Sequence, residues 1–430
     1  MKKILIITYY WPPSGGAGVQ RWVKFVKYLT NFDIEPIVLT VDKQFASYPI
    51  IDQTLEDEVP ERTMVCYTKS SEPFGAYQKL SGKKDIPYSG FANESKVSFS
   101  QKTMRFIRGN FFIPDARKGW NKYAFEKASQ LITEHGIKTV ITTSPPHSSQ
   151  LIGLKLKKEL NINWIADLRD PWTDIYYYDQ LYHTSIAKKI DRNYERKVLV
   201  ESDKVIVVSD AIKKQFLTKD AAIKSSKFSI IPNGFDESDF TDKPIRDENR
   251  FIITYTGTIA PNYNIESFLK AVLRLHEETN DDRILLRFVG VVADHFKNLI
   301  ENTNLQQCTE FIGHVKHSRS IQYLNQSAIL FLAIPDVQHN KGILTGKLFE
   351  YLGSRKPIVG VGPVDGDAAR IISECRAGKM YNYHDQDKLF DYLMLLYNQW
   401  LQNKQLISSE KVISYSRKRL TEKLAYLIEN

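Results

Sequence analysis

The chain has 430 residues, 42% hydrophobic and 25% charged, with 59 Lys and Arg against 50 Asp and Glu for a formal charge of +9. This is an ordinary globular composition, long enough for two or three domains, and no apolar run approaches the ~18 residues that a membrane-spanning helix needs. Cys66, Cys308 and Cys375 are far apart and odd in number, which argues against a disulfide framework or a cysteine zinc site and fits a reducing cytoplasm. The charge is one-sided: residues 1–235 carry 35 Lys and Arg against 25 Asp and Glu, and residues 236–430 carry 24 against 25. Such an excess points to an anionic partner (nucleic acid, a membrane surface, a phosphorylated substrate) or to lysine-rich helix faces that are merely solvated.

The opening MKKILIITYY reads as a buried β-strand. It lacks the long apolar stretch and small-residue cleavage site of a signal peptide. WPPSGGAG ends the strand, and VQRWVKFVKYLT then spaces Trp22, Phe25, Val26 and Leu29 on one helical face. EPIVLTVD is a second strand. Residues 69–112 break the rhythm and predict an irregular insertion, polar and Gly/Ser-rich at first, then basic with interleaved aromatics. Helical patterns near 115–135 and 148–160 flank the strand KTVITTSPP. NWIADLRDP and DKVIVVSD are further strands, separated by a polar helix over about 184–201. FSIIPNGFDESDF is a strand and turn, and TDKPIRDENR a hydrophilic linker. From FIITYTGT the alternation resumes with a helix around 264–278, the strands ILLRFVGV, EFIGHV, AILFLAI and KPIVGVG, and a helix around 345–353. Short apolar strands divided by helices predict parallel sheets covered on both faces. The expected organisation is α/β: two doubly wound, Rossmann-like domains over 1–235 and 236–409, with a C-terminal helix over 410–430 packing back on the first.

Four places could carry chemistry. Ser14 to Arg21 joins a strand to a helix through glycines, either as a tight turn or as an anion cradle at a helix N-terminus. Gly16 and Gly18 have dinucleotide-loop spacing, but Arg21 stands where the third glycine belongs, and no P-loop Lys-Ser/Thr follows. His147 sits at a strand end after two prolines, where it could orient a substrate or share a proton, or be a surface histidine without a role. ADLRDPW sets Asp167, Arg169, Asp170 and Trp172 after a buried strand, as an ion-pair brace or as site residues. The tyrosines that follow, Tyr176 to Tyr178 and Tyr182, suit a sugar, a membrane interface or the core. KGILTGKLFEYLGSRKPIVGVG starts a helix at Gly346, with Lys347 near its N-terminus to meet phosphate and Glu350 a turn on to accept from sugar hydroxyls.

Taken in order, YYWPPSGGAGVQR, ADLRDPW, VSDAIKKQF, IPNGFD, YTGT, LRFVG, FIGHV and KLFEYLGSRKPIVGVGP resemble the family-4 retaining glycosyltransferases, over nearly the whole chain. The resemblance implies the GT-B fold, two Rossmann-like domains facing across a cleft. It also implies sugar transfer from a UDP- or GDP-type nucleotide sugar with retention at the anomeric carbon. Donor contacts would come from Gly15, Gly16 and Gly18, from Gly257 and Thr258, from the turn Gly313, His314 and Val315 facing the base, and from Lys347 and Leu348 near the diphosphate and nucleoside. Glu350 resembles the second glutamate of the family's Glu-seven-residues-Glu motif, which binds ribose hydroxyls. His147 and Asp170 would face the reacting sugar and, with Lys347, form the catalytic set. Arg169, Trp172 and Tyr176 would meet the acceptor.

Two departures stand out. Gly342 occupies the place of the motif's first glutamate, and Thr258 to Asn264 lacks the Arg and Lys that usually clamp the diphosphate. Hydroxyl and amide donors are expected to substitute, with Lys347 supplying the charge. No dense carboxylate cluster suited to a divalent ion is read in the sequence, so no metal and no cofactor are expected. The implied acceptor is a glycan or lipid-linked molecule in surface polysaccharide synthesis. The protein would be cytoplasmic, with the basic first half against the anionic inner face of a membrane. No nucleic-acid motif accompanies the charge, so nucleic acid is not an expected partner. The competing readings are a sugar-nucleotide epimerase of the same fold and a non-enzymatic glycan- or nucleic-acid-binding protein.

Overall fold

The computed structural model describes residues 1–71, 99–240, 247, 249–403 and 409–430. The chain forms two compact units, Met1–Asn233 with Leu420–Asn430, and Gly234–Arg419.

The first unit is built on seven strands: β1 Lys2–Ile7, β2 Ile34–Val41, β3 Met64–Thr68, β4 Thr139–Ser144, β5 Asn163–Leu168, β6 Lys204–Val207 and β7 Phe228–Ile230. They pair in the order β3-β2-β1-β4-β5-β6-β7, parallel throughout. The run Ile4–Ile7 has no polar side because both faces of β1 are covered. Leu5 and Ile7 enter one core with Ala124 and Leu131 of the helix Asn121–His135. Ile4 and Ile6 enter the other with Trp22 and Phe25 of the helix Ala17–Leu29. Leu420, Leu424 and Ile428 of the last helix, Arg417–Glu429, join that second core. Lys2 and Lys204 donate to the carbonyls of Ile428 (2.7 Å) and Leu427 (3.1 Å), which would otherwise be unpaired at the helix C-terminus.

The second unit repeats the plan with six strands: β8 Phe251–Thr256, β9 Ile284–Val289, β10 Thr309–Phe311, β11 Ile329–Ala333, β12 Ile358–Val361 and β13 Gly378–Tyr381. Their order is β10-β9-β8-β11-β12-β13, again parallel. Ile329 and Phe331 point into one core and Leu330 and Leu332 into the other, so β11 too is buried on both faces.

In each sheet the strand order reverses once, between β1 and β4 and between β8 and β11. The crevice beyond the carboxyl ends of strands at such a switch point is where open α/β sheets take ligands. The glycine turn follows β1 and His147 follows β4. Gly257 follows β8, and the loop leading to the helix Gly346–Gly353 follows β11.

The tract 69–112 is not irregular throughout, because Phe99–Phe111 is a helix. Its period is hard to read because its apolar side is not the buried one. Residues 72–98 lie outside the described residues, as do 241–246 and 248 of the expected linker.

Candidate functional site

In the first unit Gly16 caps the helix Ala17–Leu29. Gly18 lies under the Arg169 guanidinium, and a Cβ there would fall 1.5 Å from Nη1. This close approach by itself explains a glycine at 18. Arg169 is held by its Nε–H, which donates to the Ser144 carbonyl (3.0 Å), and by Nη2, which donates to that of Pro145 (3.3 Å). A cation is thus fixed between the end of β4 and the glycine turn. Gly15 donates its N–H to the Ile50 carbonyl (3.0 Å), which ties the turn to the loop after β2.

Arg21, standing where a dinucleotide loop has glycine, is fully buried. It pairs with the equally buried Asp167 at 3.3 Å and donates to the Pro232 carbonyl. Asp167 also accepts from Trp22 Nε1 (3.0 Å) and Thr143 Oγ1 (2.7 Å). Of the charges in ADLRDPW, Asp167 is therefore the brace.

His147 stacks on Trp172, with ring centroids 4.6 Å apart and planes 12° apart. Burial lowers its pKa to about 4, against the opposing pull of Asp115, so the ring is neutral at ordinary pH. Its Nδ1 is buried without a hydrogen-bond partner. Trp172 is itself buried and donates Nε1–H to Asp191 (2.8 Å), which also accepts from the Tyr178 hydroxyl (2.9 Å). Trp172, expected at the acceptor, is thus buried with its only polar atom committed inward and its ring stacked on His147. Asp191 and Asp115 are supports that sequence reasoning missed. Asp115 accepts from the N–H and hydroxyl of Ser148 (both 2.7 Å) at the start of the helix Ser148–Leu160. Burial raises the Asp170 pKa, followed by the opposing attraction of Arg169. Tyr176 is half-buried and meets Tyr177 edge to face.

In the second unit Gly257 has φ +95°, and a Cβ there would lie 2.4 Å from Lys347 Cε. Lys347 runs along this bare backbone from the first turn of the helix Gly346–Gly353. Its ammonium sits 5.3 Å from the Tyr255 ring centroid. Burial lowers its pKa to about 8, partly offset by Glu350. Among the described residues it has no ion-pair or hydrogen-bond partner. Thr258, one residue on, is exposed.

Glu350 meets His317 Nε2 at 3.1 Å, and this contact raises the histidine's pKa against the cost of burial. His317 opens the helix His317–Gln326, directly after the turn that holds Gly313, the exposed His314 and Val315. Sequence reasoning missed His317, because nothing local links it to a residue 33 positions away. Leu348 is fully buried, with its side chain in the apolar core. Gly342 is buried in the turn Asn340–Gly342.

The segment expected to replace the basic clamp lines a cavity of about 690 Å³. Pro261, Asn262, Tyr263 and Asn264 form one wall, with Lys270, His295 and His384 supplying cationic or neutral nitrogen groups and Glu266 and Asp336 carboxylates. Among the described residues no group of three or more His, Cys, Asp and Glu is placed to hold a metal. No helix among them is long and apolar enough to cross a membrane.

Two Rossmann-like units built on parallel sheets match the GT-B fold, and solved structures of that class align along the whole chain. Anabaena HepE, crystallised with UDP, is 14% identical with a TM-score of 0.63 and 100% of both chains covered. Sucrose-phosphate synthase from Thermosynechococcus elongatus is 12% identical with a TM-score of 0.64, covering 100% of this chain and 98% of that one. S. aureus TarM, crystallised with fondaparinux, α-GlcNAc-glycerol and UDP, is 13% identical with a TM-score of 0.61 and 100% of both chains covered. Residues 88–239 match the family Glycosyltransferase Family 4, and residues 236–419 match Glycosyl transferases group 1. The chain is a glycosyltransferase of the GT-B type. No curated protein sequence matches it.

Proposed function

We propose that this protein moves a sugar from a nucleotide-sugar donor to a lipid-linked or glycan acceptor, with retention of anomeric configuration and without a metal ion. The carrying observation is Lys347: an ammonium without an ion-pair partner among the described residues, at a helix N-terminus, against a backbone that only glycine leaves open. As the bond between the sugar and the diphosphate breaks, negative charge grows on the leaving phosphate. A fixed cation and helix N–H groups stabilise that charge without reorganising. Glu350, held by His317, is suited to accept from ribose hydroxyls, and the Gly313–Val315 turn to flank the base. On the first unit His147 is neutral and can accept a hydrogen bond from a sugar hydroxyl, while Arg169 offers a cation beside the glycine turn.

UDP is the first nucleotide to try, since HepE and TarM were crystallised with it. Neighbours include an enzyme of lipopolysaccharide synthesis, the galactosyltransferase WaaB (13% identical, TM-score 0.57), which favours surface polysaccharide as the product class. The deciding experiment measures UDP and UDP-sugar binding by calorimetry in excess chelator, for the parent chain and for Lys347→Ala. Tight binding that the variant loses supports the site. Equal binding by both would reject it, and binding that needs added manganese or magnesium would reject metal independence.

A further inference from the structure

The helix Phe99–Phe111 wears its apolar side outward. Phe99 is 85% and Phe111 74% exposed, and Phe106 and Ile107 are open to solvent, while Arg105 is only 7% exposed. An amphipathic helix surrounded by water does the reverse. At 3.6 residues per turn these four apolar residues fall within an arc of about 140°, and Arg105 lies opposite its centre. The other side of the helix packs on the unit, where a Cβ on Gly109 would come within 2.4 Å of the Leu181 carbonyl oxygen. Asn110 fixes the end of the helix by accepting from the Thr184 N–H (2.7 Å) and donating to the Tyr182 carbonyl (3.1 Å). That joint leads into the helix Ser185–Glu201, where Ile186 is 72% exposed and Ile190, one turn on, is also open. Lys102, Lys189 and Arg192 are exposed on the same two helices.

We infer that this two-helix face docks on an anionic lipid bilayer. Phe99, Phe106, Ile107, Phe111, Ile186 and Ile190 enter the headgroup boundary, and the cations meet lipid phosphates. Charge complementarity selects this occupant. A second copy of the chain would bring two basic rims together, whereas an anionic surface attracts them at the same time as it accepts the apolar side chains. The inference deepens the proposed transfer to a lipid-linked acceptor, but it needs none of the donor chemistry.

The test is co-sedimentation of the full chain, without substrates, with vesicles of phosphatidylglycerol and phosphatidylcholine at low salt. The parent chain should pellet with them, and pelleting should fall in high salt or on pure phosphatidylcholine. The variant Phe99→Ser/Phe111→Ser/Ile186→Ser changes only exposed positions and should partition roughly ten-fold or more weakly. Lys102→Glu/Lys189→Glu should weaken binding independently. Melting curves show whether each variant is folded. Equal pelleting by parent and both variants, or no pelleting of the parent, overturns the inference. A concentration-dependent dimer that the serine variant abolishes overturns it in favour of self-association. UDP binding measured on the same samples is separate, so failure of the donor site and failure of this surface are distinguishable.

Discussion

Lys347 passes over Gly257 so closely that a methyl group at 257 would lie 2.4 Å from its Cε. The glycine's φ of +95° is also one that side chains resist, so residues 90 positions apart are matched in both shape and backbone. Gly257→Ala should therefore displace Lys347 as well as strain the turn. We expect UDP affinity to fall about ten-fold or more, with a stability loss of about 1–2 kcal/mol. Calorimetry and urea denaturation check the two effects separately; unchanged affinity in the folded variant would break the link.

With a pKa lowered to about 8, Lys347 loses its charge in the free protein as pH rises above that value. UDP affinity should then fall by roughly ten-fold per pH unit above pH 8, since one proton is linked to binding. Lys347→Met should bind weakly with no such slope. Titrations between pH 7 and 9.5 measure it.

The His317–Glu350 pair carries a pKa shift in the opposite direction. Its histidine pKa is raised in the folded state, so the contribution is present at pH below the unfolded value near 6.5 and is lost as pH climbs through the raised one. Melting temperatures from pH 5.5 to 8.5 should fall more steeply for the parent than for His317→Gln. Because the pair is partly exposed, the difference should be about 1 kcal/mol or less. Glu350→Gln should lose nucleotide affinity beyond this stability effect.

Arg21 and Asp167 are both fully buried, so removing one leaves the other charge uncompensated. Asp167→Leu or Arg21→Met alone should cost about 3–5 kcal/mol, and the double variant should cost less than the two singles added. Urea denaturation of the four proteins closes the cycle.

His147→Phe keeps a ring to stack on Trp172 and removes both nitrogens. Turnover should fall by about 10²-fold or more with UDP binding and melting nearly unchanged. With the histidine neutral down to about pH 4, turnover of the parent should show no loss attributable to this residue between pH 6 and 8. Steady-state kinetics across that range test both statements.

Much of the architecture was legible because the strands are buried on both sides. Runs such as Ile4–Ile7 and Ile329–Ala333 can be read only as strands inside covered sheets, and the intervening periodicity supplies the helices. The switch-point turns were legible too, since glycines and prolines cluster where β1, β4 and β8 end. The helix Phe99–Phe111 was not, because periodicity locates a helix by the face it buries and this one buries arginine. The His317–Glu350 contact was hidden for a different reason, since it joins the start of one helix to the second turn of another that only the sheet brings near.

Length, apolar alternation and the +9 charge by themselves determined an α/β chain of two Rossmann-like units with its basicity in the first half. Those properties are local sums and periods, and a sequence carries them directly. The tertiary structure decided which glycine makes room for which cation, that Asp167 is a brace and Trp172 a buried ring stacked on His147, and that part of the charge borders an outward apolar face. Those are matters of distance and burial between residues far apart in the chain, and they exist only once the sheets have formed.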